Sequence, residues 1–258
     1  MKTIYYYQTF CGLEKLYPHV QYIDTIILSS IHFSTYKNEP YIHLNDYHPN
    51  SPMFDNVWVE LQKLYEQGVE ILLMVGGAGG AYKALFSDID TYYPLLFKLL
   101  RKYRFITGID LYIEESVDVN DVKKLINNLI NDFGEDFTIT MAPIAQALIN
   151  DGEGFGGFSY KKLYNSNEGK HIDWFNTQCY ESYTLDTYEK IINNGYPPDK
   201  VVFGMLAGDY DDFTKSLTEI EKVNKKYNNM KGVFVWEYCN SPPDKNDPSQ
   251  WCKIIKAI

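Results

Sequence analysis

The sequence predicts an α/β fold, a single-domain (β/α)8 barrel over residues 1–258, because strand-like and helical segments alternate eight times along it. The strand-like runs are rich in β-branched and aromatic residues and lie at 4–10, 23–30, 69–76, 106–114, 137–143, 172–180, 201–206 and 232–238. Helical periodicity is clearest at 121–133, where an apolar stripe ends at Gly134. Strict alternation favours parallel strands joined by helices, and this chain length suits one closed barrel. A doubly wound open sheet is the alternative architecture.

Two connections are longer than usual, 33–53 after the second strand and 145–171 after the fifth. In a barrel both would lie at the C-terminal face, where ligands bind. We expect them to bring aromatic rim contacts there, namely Tyr36, Tyr41, Tyr47 and Phe155. The chain has 23 tyrosines. Exposed tyrosine rings suit a carbohydrate ligand, although coding bias alone would also explain this number.

The charge pattern excludes several classes of partner. The net charge is −10 and there is no block rich in Lys and Arg, so neither nucleic acid nor an anionic membrane is an expected partner. No apolar run is long enough to cross a membrane, and no apolar signal segment follows Met1. We therefore expect a cytoplasmic or otherwise intracellular monomer.

The four cysteines, Cys11, Cys179, Cys239 and Cys252, show no CxxC spacing. A bond between Cys239 and Cys252 is one option, and free buried thiols are the expected state.

Two apparent ligand motifs are set aside. Residues 152–157 match GxGxxG, but a helical segment rather than a strand precedes them, so we interpret them as a flexible loop. His43, Asp46 and His48 have no spacing typical of a metal site. We expect no cofactor and no metal.

The stretch 106–115 combines a strand pattern with buried charge. Read with period two, one face carries Gly108, Asp110, Tyr112 and Glu114, and the other face is almost entirely apolar. Carboxylates are rarely buried without a partner or a task. The residues themselves allow two interpretations, a structural carboxylate network or the inner column of an active site.

Five motifs, taken together and in order, resemble glycoside hydrolase family 18, which contains chitinases and endo-β-N-acetylglucosaminidases on a (β/α)8 barrel. They are GIDLYIE at 108–114 (the family's DGxDxDxE), LLMVGG at 72–77 (SxGG), MAP at 141–143, QCY at 178–180 (QxY) and GVFVW at 232–236. The QxY form is similar to the compact plant-type (class III) chitinases and to non-hydrolytic seed relatives such as narbonin.

The resemblance implies a retaining mechanism in which the substrate's own N-acetyl group attacks the anomeric carbon. Glu114 matches the general acid, and Asp110 matches the buried aspartate of the signature. Tyr180 would donate to the acetamide carbonyl, and Trp236 would form an apolar floor under the sugar. The remaining expected contacts to substrate are Gly77, Tyr112, Gln178 and Glu181.

Three positions depart from the family pattern. Thr107 and Tyr112 stand where the signature has its first and third aspartates, and Met74 replaces the serine of SxGG. A phenol is uncharged near neutral pH and cannot stabilise the cationic intermediate as a carboxylate does. Losing one preorganised stabiliser costs about 10²–10³ in rate. We also expect the inward Tyr112 ring to fill the acetamide pocket, with its hydroxyl bonded to Asp110 or Glu114.

These departures leave three hypotheses. The first is a barrel that binds an N-acetylglucosamine-type glycan with weak or lost hydrolysis. Its basis is that Met74, Thr107 and Tyr112 all belong to one relay, the series of interacting catalytic side chains that the family motifs supply. The second is a working hydrolase in which Glu181, rather than the outward-facing Glu115, replaces the missing aspartate. The third is a structural or storage protein without a ligand. On the first hypothesis, Tyr112→Asp alone should raise activity little.

Overall fold

The computed structural model describes residues 1–152, 154–180, 182–208 and 213–258 and confirms the closed barrel. Eight parallel strands form its wall: β1 (Lys2–Tyr7), β2 (Thr25–Tyr36), β4 (Glu70–Gly76), β5 (Gly108–Tyr112), β6 (Thr138–Met141), β7 (Trp174–Gln178), β8 (Val201–Leu206) and β9 (Gly232–Trp236). The order around the barrel is β1-β9-β8-β7-β6-β5-β4-β2. Because β1 pairs with both β2 and β9, the sheet closes, and the open doubly wound alternative is wrong.

Helices surround the barrel between the strands. They are α1 (Asp55–Tyr65), α2 (Ala81–Ser87), α3 (Ile89–Lys102), α4 (Val119–Phe133), α5 (Ala145–Ile149), α6 (Tyr160–Tyr164), α7 (Leu185–Asn193), α8 (Phe213–Lys226) and α9 (Ser249–Lys256). The segment Glu14–Tyr22 is a 3₁₀ helix interrupted at His19. No helix in the described ranges is both long and apolar enough to cross a membrane.

The first long connection contains a strand that the sequence pattern did not predict. β3 (Glu39–Leu44) runs antiparallel to the extended second half of β2, with Ile31 opposite Leu44 and Tyr36 opposite Glu39. The resulting hairpin stands at the C-terminal face of the barrel.

Side chains of the barrel strands separate into two cores. The larger core lies between the sheet and the helices. The smaller one fills the barrel interior and consists of Ile4, Tyr6, Ile27, Leu72, Met74, Tyr112, Ala142, Trp174, Val202 and Phe234. Alternation along β5 produces this division, because Ile109 and Leu111 face the helices while Asp110 and Tyr112 face inward. The period-two interpretation of this strand is confirmed.

The cysteine prediction is wrong in part. Cys11 and Cys239 form a disulfide, with their Cα atoms 6.0 Å apart and 228 positions apart in sequence. Cys179 and Cys252 are free and buried, so Cys239 does not pair with Cys252. The bond joins the segments that follow β1 and β9, which barrel closure makes neighbours.

Candidate active site

A cleft of about 970 Å³ opens at the carboxyl ends of the barrel strands. Six of the predicted site residues line it together: Gly77, Tyr112, Glu114, Gln178, Tyr180 and Trp236. They come from four different strand ends, as the C-terminal face of a barrel allows. Asp110 lies below this cleft in the barrel interior and is completely buried. Glu181 falls outside the described residues.

Asp110 is held in a network of three side-chain hydrogen bonds. Its Oδ2 accepts from the Tyr6 hydroxyl at 2.8 Å. Its Oδ1 accepts from Thr140 Oγ1 at 2.6 Å and from Asn176 Nδ2 at 3.0 Å. Burial raises the pKa of Asp110 although these donors act in the opposite direction. The network links β1, β5, β6 and β7 inside the barrel. Asp110 therefore has a structural role in holding these four strands together.

Glu114 lies two residues beyond the end of β5 and is half-buried in the cleft wall. Burial raises the pKa of Glu114, and the Gln178 amide beside it partly offsets that rise. Gln178 also donates from Nε2 to the Ala142 carbonyl at 2.7 Å, which fixes its position. A carboxyl group with a raised pKa stays protonated to higher pH, which is the state that a general acid needs.

The Tyr112 ring points into the barrel and is only 4% exposed. It meets Tyr6 edge to face, with ring centroids 6.0 Å apart. Burial raises the pKa of Tyr112 well above its usual range, and the nearby Tyr180 hydroxyl adds to this rise. The expectation that the Tyr112 hydroxyl bonds Asp110 or Glu114 is wrong, because neither bond occurs among the described residues.

The Tyr180 hydroxyl is buried and has no hydrogen-bond partner in the part of the chain that the structure describes. The Tyr112 hydroxyl is its neighbour and partly offsets the rise that burial causes in the pKa of Tyr180. An unpaired buried hydroxyl is costly, about 1–3 kcal/mol. Because Tyr180 also lines the cleft, a ligand that supplied an acceptor there would remove this cost.

The other two departures from the family pattern lie in very different places. Met74 is buried in the barrel interior, beside Asp110 on the neighbouring strand β4. It also reaches Gly77, where an added Cβ would come within 2.8 Å of the Met74 methyl group. Thr107 instead lines a groove at the opposite, N-terminal end of the barrel, beside Lys2 and Glu70. The inclusion of Thr107 in one relay with Met74 and Tyr112 is therefore wrong.

Glu115 has a role outside the cleft. Its Oε1 accepts a hydrogen bond from the Tyr82 backbone N–H at 2.5 Å, in the first turn of α2. Alternation along β5 carries its side chain away from Glu114, as expected. Glu115 therefore holds the glycine-rich turn at 76–80 against the end of β5 and does not replace the missing aspartate.

Several cleft residues were not predicted as substrate contacts, although His43 and Asp46 had been considered as metal ligands and set aside. His32, His43, Asn45 and Asp46 belong to the β2–β3 hairpin or its exit, and all four line the cleft. The available signal was the length of the 33–53 connection, which indicated the right region without its strand. The described residues contain no group of three His, Cys, Asp or Glu side chains that could hold a metal ion.

A smaller cavity of about 390 Å³ adjoins the cleft and shares Gln178 and Tyr180 with it. Phe155 lies on its wall and is 54% exposed. Of the predicted rim tyrosines, Tyr36 is 58% and Tyr47 53% exposed, and Tyr41 is half-buried. The aromatic residues of both long connections therefore do lie at the C-terminal face.

Comparisons with known proteins agree with this geometry, although no family model matches the chain. A fungal endo-β-N-acetylglucosaminidase from glycosyl hydrolase family 18 is 31% identical, with a TM-score of 0.89 over 100% of this chain and 97% of that one. A chitinase from Aspergillus fumigatus is 29% identical, with a TM-score of 0.85 over 99% and 98%.

A curated relative, Chitinase 2 of Rhizopus oligosporus, is 24% identical over 247 residues. This match covers 83% of the chain but only 44% of the relative, so the chain spans less than half of that protein's length. The structural match at 31% identity extends over the whole chain. The chain therefore belongs to glycoside hydrolase family 18.

Proposed function

We propose that this barrel binds an N-acetylglucosamine-containing oligosaccharide in its cleft and hydrolyses it weakly or not at all. The single observation that carries the proposal is the position of Tyr112. Its ring points inward and stands in the column where the family signature has its third aspartate. The named relatives are a chitinase and an endo-β-N-acetylglucosaminidase, which supports this class of glycan as the ligand.

The cleft offers a sugar both apolar and polar contacts. Trp236 is only partly buried and presents an indole at the base of the cleft. Aromatic rings of this kind supply large apolar contact area at low cost in conformational entropy. The unpaired Tyr180 hydroxyl supplies a donor, and Glu114 and Gln178 line the same space. A few placed polar groups on an apolar base are typical of small-molecule sites.

Weak hydrolysis follows from the chemistry of the replaced residue. In the family mechanism an aspartate two residues before the acid stabilises the cationic intermediate, and here that position holds a neutral phenol. Asp110 cannot easily take over, because Tyr6, Thr140 and Asn176 already occupy its oxygens. Met74 adds no hydroxyl that would let Asp110 turn toward the substrate.

One observation favours the alternative of a working chitinase or endo-β-N-acetylglucosaminidase. The pKa of Glu114 is raised by burial, as a general acid requires. A second carboxylate would still have to stabilise the intermediate. The structural or storage role remains the third hypothesis, and it predicts neither binding nor turnover.

Two measurements on the whole chain separate these hypotheses. The first is release of a chromophore from chitobiose and chitotriose glycosides, compared with Glu114→Gln. The second is saturable binding of chito-oligosaccharides by calorimetry, compared with Trp236→Ala. The proposal expects binding that Trp236→Ala weakens and little or no release. Rapid release that Glu114→Gln abolishes would contradict it in favour of the hydrolase, and absence of both would favour the structural role.

A further inference from the structure

One wall of the cleft is built from two chain segments, residues 8–11 after β1 and residues 236–239 at the end of β9. Four residues of these segments line the cleft, namely Gln8, Thr9, Phe10 and Trp236. The disulfide between Cys11 and Cys239 joins the two segments just beyond these residues. A covalent bond that can be opened by reduction therefore lies directly beside the candidate ligand contacts.

The other links between the two segments are weaker. Regular pairing of β1 with β9 ends at Tyr5 and Val235. Beyond that point, Glu237 Oε2 accepts from the backbone N–H groups of Gln8 at 3.3 Å and Thr9 at 3.4 Å. Both distances exceed the usual range of about 2.7–3.2 Å, and only the bond from Thr9 Oγ1 to Glu237 Oε1, at 3.0 Å, lies within it. The position of this wall therefore depends strongly on the disulfide.

Phe10, next to Cys11, has a backbone conformation that needs external support. Its φ is 58°, in the left-handed region that residues other than glycine rarely adopt. Its ring packs edge to face against Tyr7 at 5.3 Å and Phe54 at 5.6 Å. Strain of this kind persists only where the surrounding structure enforces it. Opening the neighbouring disulfide removes one such constraint, so Phe10 should leave its place in the cleft wall more readily.

The disulfide is accessible to a reductant, because Cys11 is exposed and Cys239 is half-buried. A thiolate of a dithiol reductant attacks the Cys11 sulfur, the S–S bond breaks, and Cys239 leaves as a thiolate that takes up a proton. The second thiolate of the reductant then attacks the mixed disulfide and releases Cys11, which is protonated in turn. Two electrons pass from the dithiol to the protein, and the reductant ends as a disulfide.

We propose that the Cys11–Cys239 bond is a redox switch for the cleft, in which the oxidised protein holds the wall in place and reduction by a dithiol weakens glycan binding. This inference rests on the proposed function and adds a form of regulation to the same site. In the reduced protein the binding-competent wall is populated for only part of the time, and the affinity falls in proportion. Because coupling between two sites is reciprocal, a bound glycan should protect the disulfide from reduction by the same factor.

Calorimetry on the whole chain tests this coupling, with chitohexaose as the probe. Reduction of wild type by dithiothreitol should weaken binding about tenfold. Cys11→Ser without reductant should match reduced wild type, and reductant should not weaken it further. Cys252→Ala is the matched control, because it removes a free, buried thiol on α9 and should leave both the affinity and the effect of reductant unchanged. Saturating chitohexaose should also lower the reduction potential of the disulfide by about 30 mV, the equivalent of the tenfold change.

Hydrogen exchange follows the wall without any ligand. Within the first minutes, reduction should increase exchange at the amides of residues 8–12, while those of β5, which exchange only through global unfolding, should stay protected. Early loss of protection in β5 as well would show that reduction loosens the whole barrel and would overturn a local switch.

The binding results separate this proposal from the proposed function. Equal chitohexaose affinity of the oxidised and reduced protein, or unchanged exchange at residues 8–12, would overturn the redox switch alone. If neither redox state binds chitohexaose although exchange at residues 8–12 rises on reduction, the proposed function is wrong, and the control of glycan binding falls with it.

Discussion

The rings of Tyr112 and Trp236 lie against each other at the base of the cleft, with centroids 5.7 Å apart and planes tilted by 49°. Tyr6 contacts both of them, at 6.0 Å from Tyr112 and 5.1 Å from Trp236. Where the family signature has its third aspartate, the barrel therefore has a packed aromatic cluster. On the proposed function, this cluster holds a sugar by apolar contact and lacks the charge that hydrolysis by the family mechanism uses.

This cluster leads to a prediction about rescue of activity. Tyr112→Asp alone should raise glycoside hydrolysis little, because Met74 still offers no hydroxyl to Asp110 and the new carboxylate would be buried beside it. Tyr112→Asp combined with Met74→Ser should raise the rate by about 10²-fold over wild type. The measurement is chromophore release from a chitotriose glycoside.

The control for this rescue is Glu114→Gln in the doubly substituted background, which should abolish the gained activity. A large gain from Tyr112→Asp alone would contradict the role given to Met74. A gain in the double variant that survives Glu114→Gln would contradict the role of Glu114 as the acid.

Local periodicity was enough to predict the inner column of β5 but not its partners. Alternation placed Asp110 and Tyr112 inside the barrel correctly, because side-chain direction in a strand depends only on position along it. The neighbours of the Tyr112 hydroxyl depend on ring orientation and on packing against Trp236 and Tyr180, which no local pattern contains. Thr107 shows the same limit in another way, since motif alignment ignored that β5 crosses the barrel from one end to the other.

Long-range pairing was the second feature that the sequence could not supply. The Cys11–Cys239 bond needs β1 beside β9, and this contact exists only once the barrel closes. β3 was missed although Ile42 and Leu44 alternate with Tyr41 and His43, because the segment Glu39–Leu44 is short and begins with Glu39-Pro40, and a proline lowers the expectation of a strand. The comparison with relatives extends over the whole fold, but it does not supply these individual contacts.

The buried Asp110 predicts a particular dependence of stability on pH. Burial raises the pKa of Asp110 in the folded state above its unfolded value of about 3.9. The contribution of Asp110 to the stability of the fold is therefore fully present below the unfolded pKa. It is lost as the pH rises through the raised folded-state pKa. Asp110→Asn titrates in neither state, so it should gain stability relative to wild type across this window.

Urea denaturation of wild type and Asp110→Asn between about pH 3.5 and 7 measures this difference. The substitution also perturbs the bonds from Tyr6, Thr140 and Asn176, which adds an offset that does not vary with pH. The free energy of unfolding of Asp110→Asn, relative to that of wild type, should increase as the pH rises through this range. A difference that is flat, or that moves in favour of wild type as the pH rises, would contradict a raised pKa for Asp110.

The neighbour of Glu114 gives a second pH prediction. The Gln178 amide lowers the pKa of Glu114 against the effect of burial. Gln178→Met removes the amide at similar side-chain length, so the pKa of Glu114 should rise further. Carbon-13 NMR of labelled glutamate carboxyls measures this pKa without any need for activity. If the chain does hydrolyse a substrate, the alkaline limb of its pH–rate profile should move to higher pH as well.

Gln8→Met is the matched control for this experiment, because Gln8 lines the same cleft but is not among the groups that shift the pKa of Glu114. The control should leave the titration of Glu114 unchanged. A fall in the pKa in Gln178→Met, or the same rise in both variants, would contradict the assigned effect of the amide. The loss of the bond from Gln178 to Ala142 should also cost about 0.5–1.5 kcal/mol of stability.

The Cys11–Cys239 disulfide predicts a measurable contribution to stability. It closes nearly the whole chain into a loop, since the two cysteines are 228 positions apart, and it restricts the unfolded state accordingly. It also ties the segment after β1 to the segment after β9, where Glu237 accepts a hydrogen bond from Thr9 Oγ1 at 3.0 Å. Cys11→Ser should lower the free energy of unfolding by about 2–4 kcal/mol. Urea denaturation with and without dithiothreitol measures this, and reductant should destabilise wild type but have no further effect on the variant.

Counting thiols checks the same bond independently of stability. Denatured, unreduced protein should show only the two thiols of Cys179 and Cys252, and reduction should add those of Cys11 and Cys239. Cys179→Ala removes a free thiol and should leave the sensitivity to reductant unchanged. Four reactive thiols before reduction would contradict the bond. Two thiols together with equal stability of wild type and Cys11→Ser would instead show that the bond forms and that the remaining contacts between these segments hold the cleft wall without it.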